Sequence, residues 1–266
     1  MERINAWTTY DKKDLKDLEK LNKGYREFLD EGKTERECVK IAIREAQKAG
    51  YRDLDDIIKE KGKIKSGDKV YSVCMKKSIV LFNIGDEDIE QGMNILGAHV
   101  DSPRLDIKQN PLYEDGGFAY LDTHYYGGVK KYQWVTLPLA LHGVVVKKDG
   151  SVIDFNIGED PKDPIFCITD LLIHLAQEKM EKKANKVIEG EALDILFGSK
   201  PIDKDTKNPV KANILKLLKK KYDIEEEDFI SAEIEVVPAG KAREAGLDSS
   251  MIMAYGQDDR VCAYTS

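Results

Sequence analysis

Histidine and cysteine are both scarce in this chain, four of each among 266 residues. Cys38, Cys74, Cys167 and Cys262 are widely scattered. With no Cys-x-x-Cys pair, neither a zinc ribbon nor a thioredoxin-like dithiol is indicated, and reduced structural thiols are the default. No uninterrupted apolar run approaches the ~18 residues of a membrane span. The start, Met1-Glu-Arg-Ile-Asn-Ala-Trp7, lacks the apolar core of a signal peptide. A cytoplasmic protein with no membrane partner is therefore expected. Basic surplus is missing too: 42 Lys and Arg against 49 Asp and Glu give a net charge of −7. Phosphate neutralisation needs a basic patch, so nucleic acid is not expected as a partner. Internal repeats and low-complexity tracts are absent as well.

The patterning that is present predicts an α/β protein. Leu15, Leu18, Leu21, Tyr25, Phe28 and Leu29 recur at helical spacing over residues 12–30. A second helix opens on a Thr34-x-x-Glu37 capping box and closes at Gly50. Val70–Met75 and Ser78–Phe82 read as a strand pair, and the apolar run Ile95-Leu96-Gly97-Ala98 as a buried strand ending at His99. Residues 104–160 are rich in β-branched and aromatic residues, with Gly116-Gly117 and Gly127-Gly128 as turn points. A helix near 169–183, a loop around 200–209 and a helix over about 210–221 follow. Strands at Ala232–Pro238 and Ser250–Tyr255 then return the chain to the first domain. The expected organisation is an open mixed-sheet domain, residues 1–103 and 235–266, interrupted by an inserted β-rich domain, residues 104–234.

Chemistry concentrates at the junctions. Side chains two apart on a strand share a face, so His99 and Asp101 in Gly97-Ala-His-Val-Asp-Ser-Pro103 point the same way. A neutral imidazole is a good zinc or cobalt ligand, and a nearby carboxylate orients it. Far along the chain, Gly256-Gln-Asp-Asp-Arg260 offers a carboxylate pair. In a two-metal site a carboxylate bridges ions about 3.5–4 Å apart, and Asp258 or Asp259 could supply that bridge. Taken singly, a His-x-Asp is more often a hydrogen-bonded pair, and an Asp-Asp-Arg a turn or surface ion pair. Their position outside the end of a central strand, where open α/β sheets place sites, shifts the balance.

Gly97–Pro103, Tyr126-Gly127-Gly128, Ile173-His174-Leu175 and Gly256–Arg260 resemble, in order and approximate spacing, the aspartyl aminopeptidase and aminopeptidase I family of di-zinc metallopeptidases. The resemblance implies that His99 binds one metal and that Asp101 orients the site. It also implies that Asp258 bridges two zinc ions, for which cobalt or manganese could substitute, with Asp259 as the residue after the bridge. It makes His174 a catalytic residue presented to a neighbouring subunit's site, where an imidazole can stabilise an oxyanion. Taken alone, His174 reads as a helix residue with a core partner. The inserted domain would make the dimer contacts, with further assembly into a closed shell.

The same resemblance sets an expectation of incompleteness. The family's general base, further ligands and last histidine lie downstream of the Asp-Asp-Arg region, whereas His99, His124, His142 and His174 all precede it. Two function classes follow. One is a metal-dependent aminopeptidase acting on peptides, with this 266-residue chain alone expected to be inactive. The other is a non-catalytic relative or fragment that serves only in assembly.

Overall fold

The computed structural model describes residues 3–266. In chain order its principal elements are α1 (Lys12–Glu31), α2 (Glu35–Lys48), β1 (Arg52–Asp53), α3 (Leu54–Lys59), β2 (Lys69–Cys74), β3 (Ser78–Asn83), β4 (Arg104–Asp115), β5 (Phe118–Tyr126), β6 (Leu139–Val146), β7 (Val152–Ile157), α4 (Gln177–Met180), β8 (Ile195–Gly198), α5 (Pro209–Tyr222), β9 (Ala232–Pro238), β10 (Arg243–Ala245), β11 (Met251–Met253) and α6 (Gln257–Thr265). They form two compact units, one built from residues 1–101 and 241–266, the other from 102–240. Among the described residues no helix is long and apolar enough to cross a membrane.

The first unit starts from strong helix signals. Asp11 caps α1, its carboxylate accepting from Lys13 and Asp14 while Asp14 reaches back to the Asp11 N–H. Gly32 ends the helix by donating to the Phe28 carbonyl at 2.8 Å. The Thr34–Glu37 capping box opens α2 as its sequence predicts, and Gly50 adopts φ +87° just beyond the end. The amphipathic faces of the two helices meet in a core of Tyr25, Phe28, Leu29, Cys38 and Ile41, against which Val100, Ala242, Ile252, Ala254 and Tyr264 pack. β1 pairs parallel with β2, and β2 antiparallel with β3, giving a small mixed sheet.

One expectation fails in this unit. The apolar run before His99 is not a strand: residues 92–100 carry no regular structure, and Ile95 and Leu96 are each 78% exposed. A strand needs a ladder as well as apolar side chains. Here the only partner of β3 is β2, and no strand lies along the run among the described residues.

The second unit is a six-stranded antiparallel sheet of order β7-β6-β9-β4-β5-β8. β9 therefore lies in the middle of this sheet, between β6 and β4, rather than returning to the first unit. Alternation sorts its two faces. Ile157, Leu141, Val236 and Leu105 pair across four strands and are 4% exposed or less. The next row reads Asn156, His142, Glu235, Asp106, His124 on the opposite face. On that face His142 is buried with its Nε2 3.1 Å from Glu159, and buried Arg104 lies between Asp106 at 2.8 Å and Glu235 at 3.1 Å. Pro111 lies in a register break of β4 between Ile107 and Leu112, where a residue without an N–H is tolerated. Gly116 and Gly117, both at positive φ, make the tight β4–β5 turn. α5 covers the apolar face through Val210 and Leu218, and the Glu114 carboxylate accepts from its first free N–H groups, those of Val210 and Lys211.

The helix expected over 169–183 is also absent. Its residues form a 3-10 turn, Ile173–Leu175, and the single-turn α4, neither with a side-chain cap. Leu171, Leu172, Ile173 and Leu175 are 54–68% exposed, so no apolar stripe is buried to hold a longer helix in place.

Candidate metal centre

His99, Asp101 and Asp258 come together in the first unit. The His99 Nδ1 lies 3.2 Å from the Asp101 carboxylate and 3.1 Å from the Asp101 carbonyl oxygen. Two acceptors around Nδ1 assign the ring proton to that nitrogen, which leaves a lone pair on Nε2. That lone pair faces the Asp258 carboxylate, with Nε2 and Oδ1 3.8 Å apart. An imine nitrogen and a carboxylate oxygen are both acceptors, so the space between them suits a cation. Two donors on one tetrahedral zinc, with bonds of about 2.0–2.2 Å, stand roughly 3.4 Å apart, which a small side-chain rotation reaches from here. In its donor chemistry the pair fits a metal ion.

The set is partial. Among the described residues no group of three His, Cys, Asp or Glu side chains converges as a metal cage. The Asp258 side chain is 99% exposed and that of His99 52% exposed, so the pair is open to solvent. The first unit's groove of about 270 Å³, lined by Trp7, Tyr25, Met251, Val261 and Tyr264 among others, does not include it.

The two aspartates of the second motif are used differently. Gly256, in left-handed conformation, caps α6, and Asp258 and Asp259 both have non-helical backbone angles at its start, joined by a cis peptide. Asp258 turns to His99, whereas Asp259 raises the pKa of the neighbouring Cys262 thiol. Cys262 is exposed. Arg260 is 1% exposed; its Nε donates to the Val100 carbonyl at 2.8 Å and its Nη2 to the Lys33 carbonyl at 3.0 Å. Sequence reading gave this arginine no role. The available signal was its place in a motif otherwise made of acidic ligand candidates.

His174 lies in the second unit, on the 3-10 turn rather than on an α-helix, and is exposed. It lines a shallow depression with Ile173, Gln177, Met180 and Glu181. No core partner holds it, so the alternative of a packed helix histidine does not apply.

An α/β unit presenting an oriented imidazole to a carboxylate is an arrangement of the kind metal-dependent hydrolases use. Comparison with known proteins agrees: residues 28–266 match the family described as aminopeptidase I zinc metalloprotease (M18), and the chain belongs to that family. It is 59% identical over 263 residues to a probable M18 family aminopeptidase 1 of Clostridium acetobutylicum, covering 98% of this chain and 57% of that protein. Among solved structures, an M18 family aminopeptidase from Thermotoga maritima superposes with a TM-score of 0.92 at 46% identity, over 100% of this chain and 57% of that one. Aminopeptidase I from Clostridium acetobutylicum gives 0.89 at 58% identity, over 100% of this chain and 58% of the other. The chain thus spans little more than half the length of these relatives.

Proposed function

We propose that the full-length protein is a zinc-dependent aminopeptidase that removes N-terminal residues from peptides, with two metal ions per site. The observation that carries this reading is the His99–Asp258 pair, with Nδ1 committed to Asp101 and Nε2 free toward a carboxylate. His99 and Asp258 would hold metal, Asp258 as the shared ligand. Asp101 keeps the imidazole in the ligating tautomer and raises its basicity. A bound zinc pair supplies Lewis acidity toward the peptide carbonyl and a nucleophilic water near neutral pH. On this reading the remaining ligands and the general base lie outside these 266 residues, which cover 57% of the Clostridium acetobutylicum relative's length. By itself the 266-residue chain is inactive on this reading, because tetrahedral zinc normally takes three or four protein ligands.

The exposed Ile95-Leu96 run and the free edge of β3 support this account, since both are what a sheet leaves open when further strands are to be added. His174 acts in a neighbouring subunit's site, which explains an exposed imidazole amid exposed Leu171, Leu172, Ile173 and Leu175, and self-association runs through the second unit. A purely assembling, non-catalytic chain is the second reading, favoured by the absence of a three-donor cluster among the described residues. The coding sequence beyond Ser266 separates the two: a Glu-Glu pair and a late histidine select the enzyme. The direct test is exhaustive chelation of the full-length protein, then add-back of zinc, cobalt or manganese, assayed on unblocked aminoacyl chromogenic substrates. Activity should vanish and return; full activity in the metal-free protein contradicts the proposal.

A further inference from the structure

Val100 lies between His99 and Asp101 and packs its side chain into the core of Tyr25, Phe28, Leu29, Cys38 and Ile41. Its carbonyl receives the Arg260 Nε at 2.8 Å. Held at both its side chain and its carbonyl, the Val100 peptide cannot rotate, and its neighbours' side chains are turned together to the other side. The 3.2 Å approach of His99 Nδ1 to the Asp101 carboxylate shows that they share that side.

Arg260 is also tied to the second donor, because it follows Asp258 by two residues on the same short segment. Its Nη2 holds the Lys33 carbonyl at 3.0 Å, in the corner between α1 and α2, where Lys33 is 2% exposed. One guanidinium therefore joins the segment carrying His99, the segment carrying Asp258 and the helix corner beneath them. Tyr255 stacks below it, 5.5 Å from ring centre to guanidinium carbon.

Fold stability alone is a poor reason for this arrangement. The cation is 1% exposed, has no carboxylate within ion-pair distance among the described residues, and leaves Nη1 buried with no hydrogen-bond partner. A buried charge compensated by two carbonyls and one aromatic face, with no carboxylate, is costly, and an apolar side chain of similar volume would fill the same space. A planar fork that spans two carbonyls at fixed angles supplies orientation, which an apolar residue cannot.

We propose that Arg260 is the positioning residue of the metal centre, setting the distance between the His99 imidazole and the Asp258 carboxylate through the Val100 and Lys33 carbonyls. The proposal rests on the reading of His99 and Asp258 as metal ligands, and the test separates the two. In the full-length protein, metal is stripped and Co²⁺ titrated back, following its visible d–d absorption, for wild type, Arg260→Met, Arg260→Lys, His99→Ala and Ile57→Val. Arg260→Met keeps the volume without the donors, Arg260→Lys keeps the charge but reaches only one carbonyl, and Ile57→Val loosens buried packing of the same unit in α3, outside the core that holds Val100. Arg260→Met should weaken Co²⁺ binding by about 10–100-fold, as loss of groups that orient ligands does, and shift the absorption band. Arg260→Lys should fall between, and Ile57→Val should lower Tm while leaving affinity and spectrum unchanged. If Arg260→Met fails to fold, Arg260→Lys carries the comparison. Wild-type affinity and spectrum in the folded Arg260 variants overturn the proposal and make the arginine a core staple. Equal Co²⁺ binding by wild type and His99→Ala overturns the metal reading itself, and the proposal with it.

Discussion

Gly143 gives the sharpest test of the second unit's architecture. It sits in β6 opposite Ile234 of β9 and Phe155 of β7, in the middle of the six-stranded sheet. A Cβ placed there would stand 1.9 Å from the Glu233 carbonyl oxygen, 2.9 Å from its carbonyl carbon and 2.8 Å from the Ile234 Cα. Carbon–oxygen contacts between strands normally rest at about 3.3–3.6 Å, so β6 and β9 would have to part by more than an ångström. All three obstacles are backbone and cannot swing aside. Overpacking of a core costs roughly 1–3 kcal/mol, and two ladder hydrogen bonds stretched out of range add about 1 kcal/mol each. Gly143→Ala should therefore cost about 3–5 kcal/mol, a fall of roughly 6–20 °C in Tm at 2–4 °C per kcal/mol. The control is Gly117→Ala: Gly117 has φ +82° but open space around its Cβ position, so only left-handed backbone strain of about 1–2 kcal/mol is expected. Scanning calorimetry measures both, and hydrogen exchange localises the loss to β6 and β9. A Gly143→Ala Tm within 2 °C of wild type, or a smaller fall than Gly117→Ala produces, would refute the close β6–β9 approach; both limits are rough, set by the same conversion.

Three further outcomes follow from the geometry. Asp258→Ala should reduce turnover of the full-length enzyme far more than Asp259→Ala, because it is the Asp258 carboxylate that faces the His99 Nε2; the opposite ranking in steady-state kinetics places the bridge one residue later. Burial works to raise the Asp228 carboxyl, but the Glu225 N–H and the Lys147 ammonium, 2.9 Å away, outweigh it and hold the pKa below the usual carboxylate value. A depressed carboxyl stabilises the fold above its unfolded pKa, about 3.9, and the contribution is lost as pH falls through the lower folded value. Asp228→Asn should accordingly lower Tm at pH 7, with the gap from wild type closing below about pH 4; a constant gap contradicts the assignment. Mixing inactive His174→Ala with inactive Asp258→Ala full-length subunits should regenerate activity, since some interfaces then combine one intact copy of each residue. Confirmed hetero-assembly without activity at any ratio assigns His174 a structural role.

Local signals in the sequence carried well where the structure depends on local chemistry. The Thr34–Glu37 box, Gly50 and the Gly116-Gly117 turn each reappear with the predicted role, because caps and tight turns are set by a few adjacent residues. The run at 95–98 misled, since apolar composition reports a wish for burial and not the presence of a neighbouring strand. Leu171-Leu172-Ile173 misled in the same way over 169–183. For β9 the strand itself was legible in Ala232–Pro238, but its place between β6 and β4 is a long-range fact that no pattern inside seven residues encodes. The row His142–Glu235–Asp106 is not legible in the sequence because its members lie on three strands far apart along the chain and only the strand register lines them up. Of the site, the approach of His99 to Asp101 followed from a two-residue spacing. A carboxylate of the Asp258-Asp259 pair could be set beside His99 on chemistry, across about 160 intervening residues, but the choice of Asp258 came through the family resemblance, and Arg260 was legible only through the carbonyls it holds.

The central claim is that His99 and Asp258 jointly hold metal, and metal content tests it most directly. The full-length protein and its His99→Ala and Asp258→Ala variants, equilibrated with zinc and freed of loose ions by gel filtration, are measured by mass spectrometry of the metal against protein concentration. The account predicts two zinc ions per wild-type subunit, one ion or fewer after Asp258→Ala because the shared ligand is gone, and a loss confined to one ion after His99→Ala. Equal zinc content in all three proteins would contradict it.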